Sequence, residues 1–429
     1  MRKTVTIGDL GTIITGNTPP RSHPELYGKH TPFIKATDIS ETEKYTYTPE
    51  EYYSEEGYNK YKKSLIPKGS TCVVTIGSIG KKMTMAHCDL FINQAMNAII
   101  PNANFDKEFV YYAVKNVLPN IKSLDSGTAS GRENVSKSAF SRMQIVIDDD
   151  IQIQHRIATI LSRYDTLIEN YQKQIKLLEE AAQRLYKEWF VDLRFPGYEN
   201  AKMVDGLPEG WERKKLGEVC EVNKTSIAKY YAYNYVNYND LGNVREGSIQ
   251  EPVRYVYGQE PGRAKRVAKD GDVIWGMVRP NLKSYALVQN PKPQDVYSTG
   301  FAVLSSKAVP FSFLYCAVIT DDFVGYLVNC TNGAAYPAVK AVHFENAVLL
   351  VPSRSLLDEF SKFAEPLFRK CGKLSSQIRL LTEARDRLLP RLMEGKMEVD
   401  APKGQRATSI EQRSGHNEQT TNAPKGQKH

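Results

Sequence analysis

The chain has 429 residues, 41% hydrophobic and 25% charged, with a formal net charge of +8 and a sequence pI of about 8.9. The length exceeds one ordinary domain and implies two or three. No run of about 18 apolar residues occurs and the start, MRKTVTIGDLG, has no apolar stretch, so neither a membrane span nor a secretory leader is expected. The basic excess suits a polyanionic partner without requiring one.

Residues 1–149 open the chain with short β-branched or aromatic runs, such as TCVVTIG, broken by Gly, Pro, Asn and Asp. These read as strands and turns of an α+β domain. A long helix is expected over 150–190, where Ile157, Tyr164, Tyr171, Leu178 and Leu185 recur every seven residues, the spacing of a pairing helix. A linker over 191–210 carries Pro196, Gly197, Gly206, Pro208 and Gly210. Residues 211–352 return to strand-and-turn texture (DGDVIWGMV, FAVLSS), and a second helix over 353–397 repeats Phe360, Leu367, Leu374, Leu381 and Leu388. The tail, 398–429, holds two copies of APKGQ and few apolar residues, and is expected to be disordered.

The two halves are copies. Ile7-Gly8-Asp9-Leu10 returns as Leu216-Gly217-Glu218-Val219, Ser126-Gly127-Thr128-Ala129 as Asn332-Gly333-Ala334-Ala335, and FSRMQIVI (140–147) as FENAVLLV (344–351). Each heptad residue of the second helix lies 203 positions after its counterpart. A common order at a near-constant offset is the mark of duplication. The expected fold is therefore two duplicated α+β domains, each followed by a long helix, the helices packing as an antiparallel coiled coil. Antiparallel packing would put the domains at opposite ends about a pseudo-two-fold axis. Residues 157–188 would span about 48 Å at roughly 1.5 Å per residue, enough to separate two readers by the 34–36 Å between successive major-groove faces.

Motifs for chemistry are missing. Gly77-Ser78-Ile79-Gly80-Lys81-Lys82 has neither the glycine spacing nor the hydroxyl of a phosphate-binding loop. No dinucleotide fingerprint, nucleophile elbow or zinc spacing occurs among the seven histidines and six cysteines. His87-Cys88 is adjacent, but strand neighbours would point to opposite faces. Cys72, Cys88, Cys220, Cys316, Cys330 and Cys371 form no C-x-x-C pair and read as small buried hydrophobes of a cytoplasmic protein. No catalytic residue, cofactor or metal is expected.

The loops do offer cations and amides. Candidates for DNA contact are Asn17, Thr18, Arg21, Lys35, Lys81, Lys82 and Arg132 in the first domain. In the second they are Lys224, Asn239, Arg263, Lys265, Arg279, Lys283 and Lys340. Lysine and arginine neutralise phosphates, arginine pairs with guanine, and asparagine with adenine. Tyr230, Tyr231, Tyr233, Tyr235 and Tyr238 alternate like a half-buried strand, and packing is the simpler role for them.

With these features in order, the chain resembles the specificity subunit of type I restriction–modification enzymes over about residues 1–397. The resemblance is carried by Gly16-Asn17-Thr18-Pro19, Gly127-Thr128-Ala129, LYKEWFVDLRF (185–195), Leu207-Pro208-Glu209-Gly210-Trp211, LLPRLMEGKM (388–397) and the duplicated plan. It implies two target-recognition domains that each read half of a bipartite site in double-stranded DNA. It also implies helices that dock two methyltransferase subunits and, through them, motor–nuclease subunits, with no membrane partner. Two other readings stand beside it: the specificity subunit of a fused nuclease–methylase system, and a coiled-coil adaptor that binds protein only.

Overall fold

The computed structural model describes residues 2–127, 133–228, 231–331, 337–397 and 399. The tail beyond Val399 lies outside the described residues. The chain divides into two units, Met1–Ser162 with Arg387–His429, and Arg163–Asp386. Both boundaries fall inside the long helices rather than at their ends.

In the first unit a four-stranded antiparallel sheet runs in the order Gly11–Thr15, Met96–Pro101, Thr71–Val74, Met83–Met85. Thr71–Val74 is buried throughout, which is why TCVV is a continuous apolar run and not an alternating one. A second sheet places Tyr27–Ile34 between Glu51–Tyr53, antiparallel, and Phe91–Ile92, parallel. Arg2–Thr6 pairs with Gln144–Asp148, where Ile145 and Ile147 point inward and Val146 is exposed, the two-residue period of a half-covered strand.

The second unit repeats this topology. Its sheet runs Cys220–Val222, Phe301–Ser306, Val273–Gly276, Tyr285–Leu287, again antiparallel. Glu212–Lys215 pairs with Val348–Val351. Tyr235–Asn239 sits between Val253–Val256, antiparallel, and Asp295–Ser298, parallel, with Ala264–Arg266 added beyond. The first unit marks that extra strand with a single bridge, Ile66 to Leu90. Matching helices follow the central strands. Lys107–Val117 is matched 204 positions on by Phe311–Val318; the first is capped by the Asp106 carboxylate, which accepts an orphan N–H of the first turn, and the second starts at Pro310 without a side-chain cap.

The long helices are Ile151–Tyr186, 36 residues, and Arg354–Met393, 40 residues. In the first unit Ile157, Ala158 and Leu161 share a core with Leu389, Leu392 and Met393. In the second, Ala182, Tyr186, Trp189 and Phe190 share one with Leu357, Phe360, Ala364 and Phe368. Within each unit the start of one helix thus meets the end of the other, which makes them antiparallel. These contacts give physical content to two strings of the sequence. LYKEWFVDLRF supplies the aromatic plug Tyr186, Trp189, Phe190 and Phe195, against Trp211, Phe313 and Phe360. LLPRLM closes the first unit's core.

The packed seam coincides with the sequence heptad only in part. Ile157, Phe360 and Leu374 are buried, whereas Tyr164, Tyr171, Leu178, Leu185, Leu367, Leu381 and Leu388 are only half-buried. Burial also falls on Ala158, Leu161, Asp165, Ile168, Ala182 and Tyr186, and on Leu357, Ala364, Phe368, Cys371, Arg385, Leu389 and Leu392. A polar pair occupies this seam inside the second unit: Arg385 Nη1 lies 2.6 Å from Asp165 Oδ1, with side chains 3% and 4% exposed.

Among the described residues, no single helix is long and apolar enough to cross a membrane. All six cysteines are free; four are buried and two half-buried. Burial pushes the Cys72, Cys220 and Cys371 thiols up to about 12, which leaves them inert as nucleophiles. His87 and Cys88 correct the strand expectation. They sit on a bend after Met83–Met85, so their side chains meet, with Cys88 Sγ 3.3 Å from His87 Nε2.

Candidate nucleic-acid interface

The sheet topology brings two chain segments together at the same place in each unit. In the first, the loop after Thr71–Val74 is tied to the segment leading into the short helix Lys137–Arg142. Gly77 N–H donates to Glu133 O at 3.0 Å and Val135 N–H to Thr75 O at 2.8 Å. In the second, Arg279 N–H donates to Pro337 O at 2.8 Å and Val339 N–H to Met277 O at 2.8 Å, ahead of Ala341–Asn346. The pairs correspond at offsets of 202 to 204.

The loop needs backbone that turns left-handed. Gly77 and Gly80 stand at φ +90° and +74°, and Gly80 packs against the Leu118 and Pro119 carbonyls. The second unit builds the same turn without glycine, with Arg279 at φ +49° and Lys283 at φ +51° around the buried Pro280. In the first unit the base of the facing loop is pinned by Asp125. Its carboxylate accepts from Asn134 N–H at 2.7 Å and Gly127 N–H at 2.8 Å, and these bonds hold its pKa below the ordinary carboxylate range.

The structure sorts the sequence candidates by what they already hold. Asn17 is a structural corner: its amide donates to Ser64 Oγ at 2.8 Å and accepts from Tyr53 OH at 2.9 Å. Gly16 precedes it because a Cβ there would lie 2.2 Å from Ile92 O. Thr18 donates to Gln94. Arg21 is forked onto Glu51 at 2.8 and 3.0 Å and stacks over Tyr27. Lys35 is bound to Glu50, Lys224 to Glu221, and Arg263 to Asp240 at 3.3 Å. Lys283 spans Asp321 at 2.9 Å and Glu246 at 3.8 Å. Asn239 is a correction: it is only 2% exposed, at the end of its strand, and cannot meet a duplex in this conformation.

Five candidates make no ion pair with a described residue: Lys81, Lys82, Lys265, Arg279 and Lys340. Four of them lie on the duplicated loop-and-helix-start arrangement. Arg132 lies outside the described residues, as do Thr128, Ala129, Tyr230 and the segment 332–336. Sequence reasoning passed over Lys137, exposed at the start of its helix; its offset of 203 from Lys340 was the available signal. The tyrosine stretch is mixed. Tyr238 is buried, but Tyr233 is 37% exposed and Tyr235 carries Arg254 over its ring at 3.5 Å.

Exposed cations on loops, repeated in each unit, suit a polyanion. Residues 2–180 match the family model of the type I restriction modification DNA specificity domain. The chain is 27% identical over 409 residues to the MjaIX type I restriction enzyme specificity subunit of Methanocaldococcus jannaschii, covering 92% of this chain and 93% of that one. It is 35% identical over 142 residues to the HindI specificity subunit of Haemophilus influenzae, covering 33% and 30%. The fold is also that of the S subunit of a type I restriction–modification system from M. genitalium, with a TM-score of 0.55 at 18% identity over 92% of this chain and 96% of that one. A domain match over residues 2–180, a relative similar along most of both chains and a shared fold point the same way: the chain is similar to the specificity subunits of type I restriction–modification enzymes.

Proposed function

We propose that each duplicated domain reads one half of a bipartite site in double-stranded DNA. The chain would bring two methyltransferase subunits, and motor–nuclease subunits with them, to that site in the cytoplasm. The observation that carries this reading is the repetition of one loop-and-helix-start arrangement at an offset of 202 to 204, each copy holding cations that no described acid neutralises. The names of the relatives support it. The long helices support a spacer of fixed length, since an uninterrupted helix of 36 residues is a stiff rod of about 54 Å.

Methylome sequencing of cells with and without this gene tests the reading. The expected motif is two short segments flanking a constant gap, with modified bases on opposite strands. Replacing residues 1–149 by the corresponding domain of a relative is expected to change one half of the motif and leave the other. A continuous motif, or halves that change together, sinks the two-reader reading.

Phosphate contacts have a separate signature. Lys81→Ala is expected to weaken binding of every duplex and to reduce the slope of log affinity against log salt by about one. Lys283→Ala is expected to do less, because Asp321 and Glu246 already hold that ammonium. Equal salt slopes for Lys81→Ala and the parent chain remove Lys81 from the interface.

A further inference from the structure

We propose that Arg279 is a specificity-determining residue of the second domain, whose guanidinium reads a guanine through its O6 and N7 in the major groove. The inference deepens the function proposed above and rests on it.

The first observation is conformational. Arg279 stands at φ +49° and ψ +66°, in the left-handed region that side-chain-bearing residues avoid. The duplicated position in the first domain is Gly77, at φ +90°, which takes such a backbone freely. The turn itself therefore calls for glycine, and the second domain carries a long cationic side chain there instead. A strained backbone kept in place by its surroundings is a reason to look for a role. The surroundings here are specific: Arg279 N–H is bonded to Pro337 O, its carbonyl accepts from Leu282 N–H at 2.9 Å, and the buried Pro280 follows.

The second observation is electrostatic. Lys283 is held by Asp321 and Glu246, and Arg263 by Asp240, whereas Lys340, the other unpaired cation of this arrangement, is a compact ammonium. Arg279 is exposed and makes no ion pair with a described residue. The fixed turn thus aims a fork of donors into solvent. Such a fork matches the paired acceptors of guanine, whereas a compact ammonium meets only one at a time. Gly77 brings no side chain at all, so the two domains differ in kind at this position, and the second is the one that gains a guanine contact.

The test compares Arg279→Lys and Arg279→Gly in the full chain, assembled with the methyltransferase subunits. Readouts are the methylation motif in cells and binding to duplexes carrying the parental motif, with each guanine of the second half-site replaced in turn by 7-deazaguanine. For the parent chain, one replacement is expected to weaken binding roughly tenfold or more. Arg279→Lys, which keeps the charge, is expected to lose a comparable factor on unmodified DNA, to become indifferent to that replacement, and to relax the motif at that base only. Arg279→Gly is expected to show the same loss with an unchanged thermal midpoint, which separates recognition from folding. Retention of affinity and motif by Arg279→Lys overturns the proposal, since it makes the arginine a charge alone. If the parent chain directs no motif, the proposed function itself falls and this inference with it.

Discussion

Arg385→Ala is expected to cost about 3–5 kcal/mol of stability, and Asp165→Ala a similar amount. The two side chains face each other across the helix seam at 2.6 Å, 3% and 4% exposed, and Arg385 Nε also donates to Asp386 Oδ1 at 2.8 Å. Removing Asp165 leaves the buried Arg385 guanidinium with Asp386 alone, and removing Arg385 takes from the buried Asp165 its partner at 2.6 Å. Removing both has a different result. The double variant Asp165→Leu with Arg385→Leu is expected to regain most of the loss, because well-packed apolar side chains replace buried ion pairs at little cost. What the double variant gives up is register: two helices with a purely apolar seam can slip by a turn, whereas a single buried polar pair penalises the slip. Denaturant midpoints for the two single variants and the double variant form the cycle that measures this. Single variants that lose less than about 1 kcal/mol mean that the pair is hydrated and holds nothing.

Glu179→Gln is expected to stabilise the protein at pH 8 and to do nothing at pH 4. Glu179 lies on the first long helix with its carboxylate packed at the Gly247 turn: a Cβ on Gly247 would sit 3.4 and 3.5 Å from its oxygens and 3.6 Å from Tyr315 OH. Burial pushes its pKa up to about 7 from an ordinary value of 4.5. Among the described residues, no cation makes an ion pair with it. Glu246 on the adjoining turn is acidic, Tyr285 OH is committed to Glu246 at 3.3 Å, and the Tyr315 and Cys371 protons are held more firmly by burial. One turn on, Gln183 Nε2 is buried without a hydrogen-bond partner.

The folded state therefore binds this proton more tightly than the unfolded chain does. Its contribution to stability is complete below about pH 4.5, shrinks as pH rises, and is gone above about pH 7. At roughly 1.4 kcal/mol per pH unit, the span between the two values corresponds to at most about 3.5 kcal/mol. A glutamine keeps the shape and removes the titration, so the difference between the variant and the parent chain isolates this carboxyl from the others. Unfolding midpoints at pH 4, 6 and 8 measure it. A difference that does not grow with pH places Glu179 in water.

The duplication was legible in the chain itself, because two domains under the same packing demands keep their glycines, strand cores and heptads at one offset. So was the helix pairing, since a seven-residue apolar period has few other uses. The full course of the seam was not. The helix ends are covered by the globular cores as well as by each other, so burial spreads from Tyr164 and Tyr171 towards Leu161, Asp165 and Ile168. Asp165 and Arg385 read as polar filling until the fold set them opposite each other, 220 positions apart in sequence.

The interface shows the same division. Composition and motif order pointed to a DNA-reading protein, and the recurrence of lysine at 81 and 283 pointed to a loop that the fold repeats in both units. Which cations are available was decided only in three dimensions, because neutralisation depends on acids distant in sequence. Arg21 finds Glu51, 30 positions away, and Lys283 finds Asp321, 38 positions away, while Lys81 and Arg279 meet none among the described residues. Asn239 shows the limit most simply. Alternation puts it with the half-buried Tyr235 and Asn237, opposite Val236 and Tyr238, yet the strand's end is covered and the amide is buried, which only the fold decides.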